Sequence, residues 1–221
     1  MTKNEFMTAS LNIDPEVVSA LIRECARKHI LPYFQKLEDH QKAIKGGNPR
    51  NEVSIADHES EDFLTDRLSA LLPDSAVVGE EAAEHAPSIA NVLRNNKNNI
   101  WVIDPVDGTS NFIRGSKTFC VMVALVSEGK TMMGWIYDVC NDSMTFAQRG
   151  QGVFVDGKKQ TMLSQTSPEE PSGFISYKLA KKHLARLNNV DFDTLRCTGH
   201  EYLRIARGDA DFAIYDHMKA W

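Results

Sequence analysis

No stretch of this 221-residue chain stays apolar for the ~20 residues that a membrane-spanning helix requires. The N-terminus lacks the apolar core of about 7–15 residues found in a secretory leader and carries acidic Glu5 and Asp14 instead. Basic residues are in the minority, 25 Lys and Arg against 30 Asp and Glu. The net charge of −5 argues against a dedicated binder of nucleic acid or anionic membrane. One local basic group, Lys178, Lys181 and Lys182, reads as a solvated helix face. Cysteine is scarce. Cys25, Cys120, Cys140 and Cys197 are widely spaced, form no Cys-x-x-Cys and pair with no histidine. They read as reduced structural thiols, with Cys120 and Cys140 in apolar strand-like runs where a thiol acts as a small hydrophobe. The GxxxxGK[ST] phosphate loop, the GxGxxG dinucleotide turn and EF-hand spacing are all missing, as are internal repeats and low-complexity tracts. These absences point to a soluble, cytoplasmic protein.

What is present is ordinary in bulk, 42% hydrophobic and 25% charged, and long enough for one large domain or two small ones sharing a core. Asp14-Pro15 predicts a helix start, with Val17, Leu21, Ile22 and Cys25 on one face to about Ile30. Lys45–Arg50 reads as a loop. A second helix carries Phe63, Leu64, Leu68 and Leu71, with Asp57 near its start and Pro73 as its stop. Ala76–Val78 predicts a short strand, and Ala83–Asn95 a weak helix opening near Pro87. Four antiparallel strands follow, Phe119–Val126, Thr131–Tyr137, Met144–Gln148 and Gly152–Val155, separated by turn formers. The remainder alternates: strand Gly173–Ser176, helix Lys178–Leu187, strand Thr194–Arg196, helix His200–Arg207 and strand Asp211–Tyr215. A boundary in the polar stretch Asp156–Pro171 gives an α+β domain over 1–156 and an α/β part over 157–221. The expected fold class is α+β, a layered α/β sandwich.

The most informative segment is Trp101-Val-Ile-Asp104-Pro-Val-Asp107-Gly-Thr-Ser-Asn-Phe112. An apolar run, Ile100–Ile103, is expected to deliver Asp104 and Asp107 into a tight turn, followed by Gly108, Thr109 and Ser110. Asp57, Glu80, Asp104 and Asp107, with Glu81 as a fifth, each open or follow a regular element and lack a basic neighbour in sequence. Mg²⁺ takes oxygen ligands, a few carboxylates completed by water and phosphate oxygens. Converging acids repel one another unless a cation neutralises them. Each acid alone has a plainer reading: Asp57 as a helix cap, Glu80 and Glu81 as a solvated helix start, Asp104 and Asp107 as turn formers. The Asp-Pro-Val-Asp spacing differs by one residue from the DxD of aspartyl-phosphate phosphatases, which favours water over an aspartate as nucleophile.

Gly79-Glu80-Glu81 together with the 101–112 block resembles the inositol monophosphatase family of Mg²⁺-dependent, lithium-sensitive phosphatases. Val53-Ser-Ile-Ala-Asp57-x-x-x-Glu61, Gly134-Trp-Ile-Tyr-Asp138, Gly150-x-Gly152-Val-Phe and Ala206-Arg-Gly-Asp-Ala-Asp211-Phe extend the resemblance from about residue 15 to the last. It implies that Glu80, Asp104, Asp107 and the Val106 carbonyl bind metal. It also implies that Asp57 and Thr109 activate water, and that Gly108, Thr109 and Ser110 hold phosphate. The expected cofactor is Mg²⁺, and the expected partners are a small-molecule phosphate monoester and a second copy of the chain in a homodimer. Neither a nucleic acid polymer nor a membrane is expected.

Two departures qualify the resemblance. The family places a metal-binding Asp directly after the Trp aligned with Trp221, then further strands and a helix, so those parts are expected to be lacking. Asp209, Asp211 and Asp216 are read as no substitute, and His217 as a solvent-exposed residue. Bulky His200 and Tyr202 stand where inositol phosphatases have small residues. His200 is therefore a candidate substrate contact, with packing at a helix start as the equal alternative. The expected reaction is hydrolysis of a polyol or sugar phosphate of the inositol 1-phosphate kind. The alternatives are a 3′(2′),5′-bisphosphate nucleotidase, a histidinol-phosphate phosphatase, or a weak or inactive metal-binding or interaction protein.

Overall fold

Asp14 opens the first helix as its sequence predicts. In the computed structural model, which describes residues 13–44, 52–85, 98–161, 171–183 and 190–216, its Oδ1 accepts the Glu16 N–H at 2.9 Å. Helix α1 spans Pro15–Cys25, and a π turn, Ala26–Ile30, carries it to the expected end. The buried stripe is Val18, Ser19, Ile22 and Cys25, whereas Val17 is 42% exposed. The inward face is thus rotated by about one residue from the predicted one. Strands β1 (Lys42–Ile44) and β2 (Glu52–Ser54) pair antiparallel and lead into α2 (Ile55–Leu71). Ser54 and Asp57 close a capping box at the start of α2, each satisfying a backbone donor that the first helical turn leaves open. Leu64 and Leu68 face the core.

The main sheet has the order β3-β4-β5-β6-β7-β8-β9 among the described residues. Strands β3 (Ala76–Gly79) and β4 (Ile100–Asp107) run parallel. From β4 onward the sheet is an antiparallel meander through β5 (Cys120–Ser127), β6 (Lys130–Asp138), β7 (Ser143–Gln148), β8 (Gly152–Val155) and β9 (Lys158–Lys159). Trp101, Ile103, Val123, Leu125 and Trp135 point into the main core with α1 and α2. Trp135 Nε1–H donates to the Pro15 carbonyl at 3.2 Å. Val78, Ala83 and Ile100 form a smaller cluster, with Val102 and Val126 packed against it.

Strand β4 does not stop at Ile103. It continues to Asp107 through an irregularity in register, with Asp104 opposite Met122 but Asp107 opposite Cys120. Two residues, Pro105 and Val106, therefore face the single Val121, which is a β-bulge. Proline has no N–H to give the ladder, so it is tolerated there. The two acids consequently sit on a bulged strand end rather than in a turn, and the chain turns only at Gly108.

A second, parallel sheet has the order β11-β10-β12. It comprises β10 (Ser172–Ile175), β11 (Asp191–Asp193) and β12 (Phe212–Ile214), with helices Tyr177–His183 and Thr198–Arg207 between them. The predicted strand at Thr194–Arg196 is a loop, and the strand lies just before it. Glu201 holds that loop by accepting the Leu195 N–H at 2.8 Å, and Arg196 takes a left-handed φ of 54° that no strand accommodates. Asp211 accepts the Ser172 N–H and Asp216 the Ser176 hydroxyl, both at 2.9 Å. Helix α3 (Glu80–His85) begins earlier than expected. The rest of the predicted 83–95 helix beyond residue 85, the end of the 178–187 helix beyond residue 183, the 45–50 loop, His217 and Trp221 lie outside the described residues.

Helix α3 owes its start to α2. Glu61 is buried, and its carboxylate accepts the N–H groups of Glu81 at 2.8 Å and Ala82 at 2.9 Å. A Cβ on Gly79 would overlap that carboxyl group. Gly79→Ala is expected to cost about 2–4 kcal/mol, the worth of two charge-assisted hydrogen bonds displaced from a buried acceptor. In a Glu61→Ala background the same change should cost less than about 1 kcal/mol. Urea midpoints for the four proteins of this cycle measure the coupling.

Candidate functional site

Side chains of a strand alternate between its faces, so residues three apart normally point in opposite directions. The bulge removes this obstacle. Asp104 and Asp107 take the registers of Met122 and Cys120, which are two apart and share a face. Asp104 Oδ1 is buried with no hydrogen-bond partner among the described residues. Burial drives the Asp104 carboxyl well above the usual carboxylate range, and the neighbouring acids Glu80, Asp107 and Asp57 push it further. Glu80 is set at the first position of α3 by the Glu61 cap. Four acids from three elements thus feel one another, as their separate positions in sequence suggest.

Asp57 serves its own helix start and a neighbouring element at once. Its Oδ2 accepts the Ser54 N–H at 2.8 Å and the Ser54 hydroxyl at 2.7 Å, while its Oδ1 lies 3.0 Å from Thr109 Oγ1. Burial pushes its pKa up to about 7, against the opposing pull of the Ser54 and Thr109 hydrogen bonds. Thr109 Oγ1 is also 2.9 Å from the Val106 carbonyl. The hydroxyl has a single proton for two acceptors, so it donates to Asp57 or to Val106 and leaves the other free.

Gly108 turns the chain between these residues at φ 87°, and a Cβ there would approach the Thr118 carbonyl to 2.9 Å. The short helix Thr109–Ile113 follows, and its first-turn N–H groups have no acceptor within the helix. The Ser110 hydroxyl does not face open space. It donates to Glu52 at 2.5 Å, and Arg114 lies 3.3 Å from the same carboxylate. His200 stands in the first turn of the helix Thr198–Arg207, with Nε2 at 3.2 Å from the Phe119 carbonyl and 3.8 Å from Asp138 Oδ1. Its ring is engaged by protein.

Several contributors escape a reading by residue type. Asp107 Oδ2 accepts the Gly199 N–H at 2.5 Å, tying β4 to the helix before β12. Cys120 and Cys197, free thiols as expected, both reach the same oxygen, at 3.6 and 3.1 Å. The sequence presents these thiols as scattered because 77 residues separate them; only the strand register and the second sheet bring them together. Glu61 and Glu52 are the other two. Glu61 lies one helical turn after Asp57, so the i, i+4 spacing was the available signal. No local signal marks Glu52.

Comparison with known proteins gives this arrangement a context. A sequence profile of the inositol monophosphatase family matches residues 14–221. The chain is 30% identical over 165 residues to the inositol-1-monophosphatase of Bacillus subtilis, covering 74% of this chain and 58% of that protein. It is 30% identical over 219 residues to the histidinol-phosphatase of Chlorobaculum parvum, covering 94% of this chain and 79% of that protein. An IMPase/NADP phosphatase complexed with Mg²⁺ and phosphate shares the fold, with a TM-score of 0.74, 18% identity and coverage of 88% and 71% of the two chains. The chain belongs to the inositol monophosphatase family.

Burial of these acids makes stability depend on pH. Burial is the main cause of the raised pKa of Asp57, Glu61 and Asp104. A raised folded pKa contributes stability that is complete below the unfolded value and is lost as pH rises through the folded value. For Asp57 that window runs from 3.8 to about 7. Chelator-treated protein is therefore expected to melt at lower temperature at pH 8 than at pH 5. Asp57→Asn should flatten the slope by the equivalent of a few kcal/mol, at about 1.4 kcal/mol per pKa unit. Calorimetry across pH 5–8 measures it, and an unchanged slope would contradict the assignment.

Proposed function

We propose that this member of the inositol monophosphatase family hydrolyses a small polyol or sugar phosphate monoester, with Mg²⁺ as cofactor and water as nucleophile. One observation carries the reading: three acids, Glu80, Asp107 and Asp57, raise the pKa of buried Asp104, whose Oδ1 has no hydrogen-bond partner among the described residues, and Asp57 is paired with Thr109. Such a group of carboxylates is costly without a cation. Its all-oxygen donor set suits Mg²⁺. Glu80, Asp104, Asp107 and the Val106 carbonyl would hold it. Once bound, Mg²⁺ supplies a lowered pKa for water and charge neutralisation at the phosphate and the leaving oxygen.

The chain's own groups do the rest. Asp57, with a pKa near 7, is suited to accept a proton at neutral pH, since a general base works best with a pKa near the operating pH. Thr109 lies between Asp57 and the Val106 carbonyl and orients the nucleophilic water by its remaining lone pair. Backbone N–H groups of Gly108, Thr109 and Ser110 face the phosphate. The Ser110 hydroxyl is assigned to Glu52 instead, so Ser110 contributes through its main chain. His200, already bonded to the Phe119 carbonyl, is a positioning residue on the substrate side. The reading also includes a homodimer, which light scattering tests, and cytoplasmic residence.

A second substrate, histidinol phosphate, is favoured by the alignment over 94% of the chain with the Chlorobaculum protein. Phosphate release from inositol 1-phosphate, histidinol phosphate and p-nitrophenyl phosphate separates the two. With Mg²⁺ we expect turnover of at least one ester and a loss on Asp104→Asn beyond the roughly 10–100-fold of an outer-shell change. Mg²⁺ should also raise the melting temperature more at pH 8 than at pH 5, because it binds the ionised acids. Metal binding without turnover of any ester would favour the non-catalytic reading and overturn this one.

A further inference from the structure

The Mg²⁺ reading leaves one cluster unused. Cys120 Sγ and Cys197 Sγ lie 3.8 Å apart, and each faces Asp107 Oδ2, at 3.6 and 3.1 Å. The three donor atoms lie within 4.8 Å of one another. Tetrahedral zinc with Zn–S of about 2.3 Å and Zn–O of about 2.0–2.2 Å sets its sulfurs about 3.8 Å apart, and sulfur and oxygen about 3.5 Å apart. The observed triangle matches those edges, the shortest needing to open by a few tenths of an ångström.

Backbone holds the donors from three directions. Cys120 sits opposite Asp107 in the β4–β5 ladder. Cys197 is the residue before the helix Thr198–Arg207. Gly199, two residues on, presents its N–H to Asp107 and has no side chain; a Cβ there would overlap Cys120 Sγ. Both thiols are buried, and Asp107 is half-buried. An ion therefore enters from the Asp107 side.

We propose that Asp107, Cys120 and Cys197 form a site for a thiophilic divalent cation, Zn²⁺, with the fourth position open to water. Binding forms two Zn–S bonds and one Zn–O bond and releases the two thiol protons to solvent, with no change of oxidation state. Soft thiolates select zinc over magnesium, while carboxylate and carbonyl oxygens select magnesium. Asp107 is common to both donor sets, so Zn²⁺ there withdraws one carboxylate from Mg²⁺. That consequence, inhibition, rests on the phosphatase reading. Zinc binding itself does not.

The test uses the full chain, reduced, stripped with chelator and returned to excess Mg²⁺. Zn²⁺ titration should show one tight site, and zinc-edge X-ray absorption should show two sulfurs at about 2.3 Å. Cys120→Ser and Cys197→Ser should each weaken binding at least tenfold, while Cys140→Ser leaves it unchanged. An all-nitrogen and oxygen shell in the unmodified protein overturns the proposal even if a serine variant misfolds. So does the absence of a tight site, or binding by both serine variants as tight as that of the unmodified protein. Two sulfurs without any phosphatase activity would uphold this site and count against the proposed function alone.

Discussion

One extra residue in one strand governs the site. A regular β4 would send Asp104 and Asp107 to opposite faces of the sheet. With Pro105 and Val106 set against Val121 alone, the strand gains a half-period, and both carboxylates emerge on the face shared by Met122 and Cys120. The same bulge leaves Val106 able to bury its side chain in the main core while its carbonyl meets Thr109. Bulges commonly re-aim side chains next to active sites, and here the spacing of the acids has no other rationale.

Helix α2 sets the second dimension. Asp57 and Glu61 lie one helical turn apart and serve different neighbours, Asp57 the Thr109 hydroxyl and Glu61 the backbone at the start of α3. One rigid rod therefore fixes the proton-accepting candidate and, through α3, the position of Glu80. Asp57 also caps its own helix through Ser54. That capping bond shows why the plain reading of Asp57 as a helix cap and its reading as a site residue do not compete. A carboxylate has two oxygens, and each is assigned a task.

The parts legible in the sequence are those whose signal is local. Asp14-Pro15 marks a helix start because capping needs only neighbours, and the strands of the meander declare themselves by alternation and turn residues. The Asp-Pro-Val-Asp block is legible as a pair of acids, but its geometry is not, because register belongs to two strands together. Thr194–Arg196 misled for the same reason: an apolar Leu195 resembles a strand, while the deciding contact is Glu201. Cys120 and Cys197 are the extreme case. Each alone is an ordinary buried thiol, and their meeting depends on β5, on the second sheet and on a glycine that leaves room.

The site is therefore a compromise between folding and binding. Asp57, Glu61 and Asp104 are buried acids with raised pKa values, and the stability tied to each protonated form is lost as pH rises through the folded pKa. Glu61 is relieved by two backbone N–H groups, and Asp57 by Ser54 and Thr109. Asp104 Oδ1 has no such relief among the described residues. The frustration is thus not spread evenly; it is concentrated on the acid nearest the bulge. A proton relieves Asp104 at low pH, as its raised pKa records; in the proposed site a cation would do so at neutral pH, and Asp107 beside it would bear on which kind. Its Oδ2 already faces a backbone N–H and two thiols, so one edge of the acid cluster is hard and the other soft. In the two proposed sites, selectivity between the two kinds of ion would then rest on which oxygen of a single carboxylate the ion meets.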